Sequence, residues 1–205
     1  MKPLISLSSA RWLSAIAFSI LAHSAGAGAA GNSAAGVGPL PSDSVYQLNS
    51  ELVDQDGHPF KLSGKRGQPV IVSMFYNSCQ FVCPMLIDTM RHTEDGLTAE
   101  ERANLSLLLV TFDPARDDVA VLKSIAARRR LNPAHWTLAR TDAEGVRKLA
   151  AILGIQYRLL RSGEYNHSTA LILLDGDGRI LGRTGKLGAV DPVFLKLVAQ
   201  AAHDK

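Results

Sequence analysis

The chain of 205 residues is expected to fold as an α/β sandwich. Three observations predict it. Apolar residues make up 46% of the chain and charged residues 20%, which suits a packed core rather than a disordered chain. Continuous apolar runs alternate with amphipathic stretches, as strands alternate with helices in an α/β fold. The alternation then gives way to a closing hairpin and a last helix. Aromatic residues are scarce at 6%, so the core must rest on Leu, Val, Ile and Ala.

The elements follow in order. "VYQLNSELVDQDGHPFKL" alternates loosely around Asp56-Gly57, a hairpin signal. "QPVIVSMFYNS" is an unbroken apolar run ending in turn residues, as a buried central strand would be. Pro84 to Gly96 predicts a helix, with proline suited to a first turn and glycine to a stop. Leu105 to Phe112 is a second buried strand. "RDDVAVLKSIAARRR" predicts an amphipathic helix whose basic end complements the dipole. "HWTLAR" is a short strand. Asp142 caps a helix that Gly154 stops. "IQYRLL" predicts an edge strand and "STALILLD" a buried one. "GDG" turns the chain into "RILGRT", and Asp191 and Pro192 open the final helix.

The N-terminal segment stands apart. Lys2 and Arg11 precede the apolar run Trp12 to Ala22, and "HSAGAGAAG" follows with small residues suited to cleavage. This is a secretory signal pattern over residues 1–27, too short to span a membrane at the usual ~20 residues, with an uncleaved anchor as the alternative. Cleavage is expected between Ser24 and Ala30. Residues 28–43, rich in Gly, Ala, Ser and Pro, are expected to form a flexible linker, and 44–205 the folded domain. The leader holds two of the 22 basic residues and no acidic one, so its loss lowers the formal net charge from +3 to +1. A nucleic-acid partner gains no support from that balance. Export is expected to bring the chain to an oxidising compartment such as the periplasm, near the membrane that it crossed.

Both cysteines lie in "FYNSCQFVCPML", as Cys79 and Cys83. They fall where the first core strand meets the first helix, the position that marks a thioredoxin-like sandwich, here with an additional N-terminal β-hairpin. Cys83 is expected at the helix N-cap, where free amides and the dipole lower a thiol's pKa and favour thiolate. Thiolate is both nucleophile and metal ligand, so location alone separates these roles poorly. Spacing helps more: Gln80, Phe81 and Val82 intervene, one more residue than in the usual dithiol oxidoreductase motif. The wider loop lets two sulfurs straddle one ion, and paired soft thiolates select Cu(I). The same loop could close a Cys79–Cys83 disulfide if the Cα atoms lie within roughly 4.4–6.8 Å. A purely structural bridge is disfavoured, because so short a loop removes little unfolded-chain entropy. Cu(II) would want a third donor. His167 in "GEYNHSTALILLDGDG" supplies one, at the entry to a buried strand where thioredoxins place a cis-proline; this chain has no proline between Pro133 and Pro192.

Together, "FYNSCQFVCP", "LVTFDPARD" and "EYNHSTALILLDGDG" resemble the SCO (SenC/PrrC) family of copper chaperones for cytochrome c oxidase, from about Val45 to Leu195. The resemblance implies one copper, as Cu(I) or Cu(II), held by Cys79, Cys83 and His167, with Asp113 as a secondary contributor. It implies delivery to the copper-receiving subunit of the oxidase and an upstream copper donor. Thiol–disulfide exchange through Cys79 and Cys83 is the alternative activity, one that would make the chain an enzyme. Gln80 stands where the family often has proline, and the segment before His167 is short. A peroxiredoxin-like peroxidase is disfavoured, since Tyr76 occupies the position where its motif wants Thr or Ser.

Other conspicuous residues carry plainer readings. Met74, Met85 and Met90 are expected as core filler. His58, His92 and His135 are expected at the surface or in structural bonds. Asp175 to Gly178 resembles the start of a calcium loop but lacks its remaining ligands, so a hairpin turn is expected. Arg128 to Arg130 reads as a solvated helix end, with a docking patch for an acidic partner as the alternative.

Overall fold

The computed structural model describes residues 38–79 and 81–203. The leader expected at 1–27 and most of the linker expected at 28–43 lie outside the described residues. The part of that segment within them is held against the fold: Arg66 donates to the Gly38 carbonyl at 2.6 Å, and Leu40 packs on the core.

Strands β1 (Glu51–Asp54) and β2 (Pro59–Lys61) pair antiparallel, with Leu52 opposite Phe60. Then come β3 (Val70–Phe75), α1 (Val82–Asp95), α2 (Ala99–Ala103), β4 (Ser106–Thr111), α3 (Val119–Arg128), β5 (Trp136–Arg140) and α4 (Ala143–Leu153). A two-stranded ribbon follows, β6 (Tyr157–Leu159) and β7 (Tyr165–His167). The chain closes with β8 (Leu171–Leu174), β9 (Ile180–Thr184) and α5 (Pro192–His203). The main sheet has the order β2-β1-β5-β4-β3-β8-β9. β3, β4 and β5 run parallel; the others are antiparallel to their neighbours. This is a thioredoxin-like α/β sandwich.

Every residue of β3, β4 and β8 is buried, so both sheet faces are covered, and this explains their unbroken apolar runs. The caps follow the sequence closely. Asp142 accepts from the Gly145 amide, Gly154 takes the left-handed conformation at φ 64°, and Asp191 accepts from Val193. The Asp175 carboxylate accepts from the amides of Asp177 and Arg179, which fixes the turn before β9. Gly178 has φ 82° there, and a Cβ would lie 2.6 Å from the Tyr46 ring, so only glycine fits.

Two placements differ from expectation. "IQYRLL" supplies β6, which pairs with β7 alone and is not an edge of the main sheet. α1 begins at Val82 with Phe81 as N-cap, so Cys83 lies inside the first turn and Pro84 one residue deeper. Proline is tolerated there because the first four helical amides lack partners anyway.

Glu94 ties α1 to β5. Its carboxylate accepts from Trp136 Nε1 at 2.8 Å and pairs with His135 Nδ1 at 2.7 Å, while Glu94 itself is 8% exposed. Glu94→Leu would leave both donors unpaired at a buried site. It should cost about 2–3 kcal/mol of stability, read as a lower urea midpoint with unchanged slope.

Candidate metal centre

The cysteine loop leaves β3 at its C-terminal end, beside the end of β4, where the Phe112 amide donates to the Phe75 carbonyl. Asp117 fastens the loop from beneath: its carboxylate accepts from the Asn77 amide at 3.0 Å and the Thr111 hydroxyl at 2.6 Å. Burial pushes the Asp117 carboxyl up from the ordinary carboxylate range.

Cys79 and Cys83 are unbridged and buried, 8% and 3% exposed. The Cys83 amide, in the first turn of α1, donates to Cys79 Sγ at 3.3 Å. β7 brings in His167, and the ligand atoms of Cys79, Cys83 and His167 all lie within 4.8 Å of one another. At Cys83 the direction is the reverse of that expected from a helix terminus. Burial dominates there and pushes its thiol up, assisted by the neighbouring Cys79. A bound metal would reverse this, since a coordinating thiol is deprotonated outright.

His167 Nδ1 lies 3.2 Å from the Ser168 carbonyl and 3.2 Å from the Thr169 hydroxyl. A carbonyl only accepts, so a proton on Nδ1 would satisfy Ser168 and leave the Nε2 lone pair for an ion. Second partners of this kind fix the tautomer of metal-binding histidines.

An aromatic cage that the sequence did not disclose holds this imidazole. Phe112 lies 5.0 Å from the His167 ring and Tyr76 5.8 Å, edge-on at 88°. Tyr157 stacks on Phe112 at 5.5 Å, and Tyr165 packs on both Tyr76 and Phe112. The Tyr76 hydroxyl donates to Glu164 at 2.7 Å, and burial followed by this bond pushes that phenol up. The cage draws on four separate segments, so only "EYNH" carried a local sign of it. Asp113, 3% exposed, is not among the clustered ligand atoms. It is engaged by Arg116 and by the Tyr165 hydroxyl at 3.4 Å, and through Tyr165 it steadies β7.

The remaining candidates separate clearly. Met74 and Met90 are core residues, but Met85 is 43% exposed, against the expectation of core filler. It stands two positions beyond Cys83 on α1, about 200° around the helix from that inward-facing thiol. His58 and His92 are exposed, and His135 pairs with Glu94.

A thioredoxin-like domain with two cysteines and a histidine converging at the end of β3 defines a narrow class of protein. The family model described as SCO1/SenC matches residues 42–201, and the chain belongs to that family. A Stutzerimonas stutzeri protein named as copper-binding is 32% identical over 136 residues, 64% of this chain. The chain spans 65% of that relative's length. The Arabidopsis thaliana ScoI structure with copper bound superposes with a TM-score of 0.66 at 15% identity, covering 76% of this chain and 97% of that one. The structure of BsSco, described as a member of the Sco family of cytochrome c oxidase assembly proteins, gives 0.64 at 20% identity, covering 78% and 95%. At these identities the structural likeness shows the shared fold.

Proposed function

We propose that this chain is a periplasmic copper metallochaperone that binds one copper through Cys79, Cys83 and His167 and delivers it to cytochrome c oxidase during assembly. The observation that carries the reading is the convergence of two sulfurs and one imidazole within 4.8 Å. Thiolates suit Cu(I), and the added nitrogen suits Cu(II). The donor set therefore fits copper as cargo in either oxidation state. The names of the copper-binding relative and of the Sco structures support copper and oxidase assembly. The secretory pattern of residues 1–27 supports export.

Copper titration of the reduced full-length chain, with metal analysis after gel filtration, tests this. One retained copper per chain is expected, with proton release, because the raised Cys83 thiol must lose its proton on binding. Loading should weaken as pH falls. The chain oxidised to the Cys79–Cys83 disulfide should retain no Cu(I), since the same sulfur lone pairs are then committed. Equal loading of both forms would refute the site.

Thiol–disulfide exchange is a second reading. It is favoured by the Cys83 amide resting on Cys79 Sγ, where it would stabilise a departing thiolate.

A further inference from the structure

Two clefts reach the cysteine loop. One, of about 420 Å³, joins Cys79 to His167, Tyr165 and the exposed Phe81, and is the face on which copper would be held. The other, of about 150 Å³, approaches from the side of α3. It touches both Cys79 and Cys83, has Ile87 and Asn77 in its walls, and is also lined by Arg128 and Arg129. His167 does not line it.

The charges at this second cleft are only partly neutralised. Arg129 lies 3.3 Å from Asp88, a half-exposed pair. Among the described residues, Arg128 makes a long hydrogen bond to Asn77 Oδ1 at 3.4 Å and no ion pair. Arg130 is exposed next to them. A 150 Å³ opening on two sulfurs, edged by cations, is shaped for a small negatively charged group bearing sulfur.

We infer that the α3 cleft is the entry for an anionic thiol reductant, such as a carboxylate-bearing thiol, which restores the oxidised cysteine pair by a route that His167 does not line. The inference rests on the proposed function in that it supplies the reduced form that takes up copper. The entering thiolate would form a new sulfur–sulfur bond with Cys83 as the Cys79–Cys83 bond breaks. Cys79 leaves as a thiolate, stabilised by the Cys83 amide at 3.3 Å in the reduced form, and takes a proton from water. A second thiol then attacks the mixed disulfide, releasing Cys83 and an external disulfide. Two external thiols thereby give two electrons to the pair. The arginines raise the local concentration of the anion without touching the bonds that change.

The test is the reduction rate of the oxidised full-length chain by three small thiols of different charge: 2-mercaptoethanesulfonate, 2-mercaptoethanol and cysteamine. Rates are compared per thiolate and followed by quenched alkylation. The anionic thiol should exceed the neutral one by on the order of tenfold at low salt. The advantage should fade as ionic strength passes about 0.1 M, where the Debye length is about 10 Å. Arg128→Gln/Arg129→Gln should abolish the anionic preference, slowing the 2-mercaptoethanesulfonate thiolate most, the 2-mercaptoethanol thiolate less and the zwitterionic cysteamine thiolate least, with circular dichroism verifying the fold. Arg158→Glu, on the ribbon beside His167, should preserve the preference. Survival of the preference in the double variant, or its loss in Arg158→Glu, would overturn the inference. The assay contains no copper, so its outcome is separate from that of the titration: a chain that loads copper but shows no charge preference refutes only the α3 entry.

Discussion

Cys83→Ser, and separately Cys79→Ser, should abolish tight Cu(I) binding by the reduced chain. Each removes one of the two soft donors that lie with His167 within 4.8 Å. Serine keeps the shape but offers a hard oxygen whose proton is not displaced near neutral pH. The loss should exceed the roughly 10–100-fold typical of removing a group that only orients a ligand. Cys83 is 3% exposed, so a buried serine hydroxyl brings a stability cost of its own, about 1–3 kcal/mol if it finds no partner. Cys83→Ala separates the two effects, since alanine brings no polar group. Competition against a chromogenic Cu(I) chelator provides the measurement, with circular dichroism as the check on folding. Full affinity in any one of these variants would place the copper elsewhere.

Much of this site is legible in the local sequence. The two cysteines sit at the β3–α1 junction because an apolar run ends at Phe75 and a helix begins soon after. His167 comes from the one polar segment that leads into the buried run of β8. The caps at Asp142, Gly154 and Asp191 are local chemistry, and local chemistry is what a sequence displays. Other features depend on packing between distant segments. The cage around His167 gathers Tyr76, Phe112, Tyr157 and Tyr165 from four stretches. The upward shift of the Cys83 thiol comes chiefly from burial, which cannot be seen from position along the chain. β6 has the composition of a sheet edge but pairs with β7, a choice that no run of six residues decides. α2 is a five-residue helix below the length at which periodicity is visible, although Thr98 and Glu101 form a capping box that announces it.

His167→Ala should separate copper delivery from thiol chemistry. The imidazole is the one nitrogen donor of the cluster, and its Nδ1 is committed to Ser168 and Thr169. Cu(I) is satisfied by two thiolates, whereas Cu(II) prefers added nitrogen or oxygen donors in a tetragonal arrangement. The variant should therefore lose the thiolate-to-Cu(II) charge-transfer absorbance while retaining Cu(I) within about tenfold, since two thiolates already meet its needs. Disulfide formation should be unaffected, because the imidazole takes no part in that bond. His167 is only partly buried, so the truncation should cost little stability, although the Tyr76 and Phe112 rings lose a neighbour. In cells lacking the native protein, a chain acting as a copper chaperone should fail to restore oxidase activity with this variant while still cycling its thiols. A chain acting chiefly as an oxidoreductase should complement nearly as well as the wild type. Unchanged Cu(II) absorbance would remove His167 from the site. The exposed His92 would then be the next residue to test, ahead of His135, whose Nδ1 is already paired with Glu94.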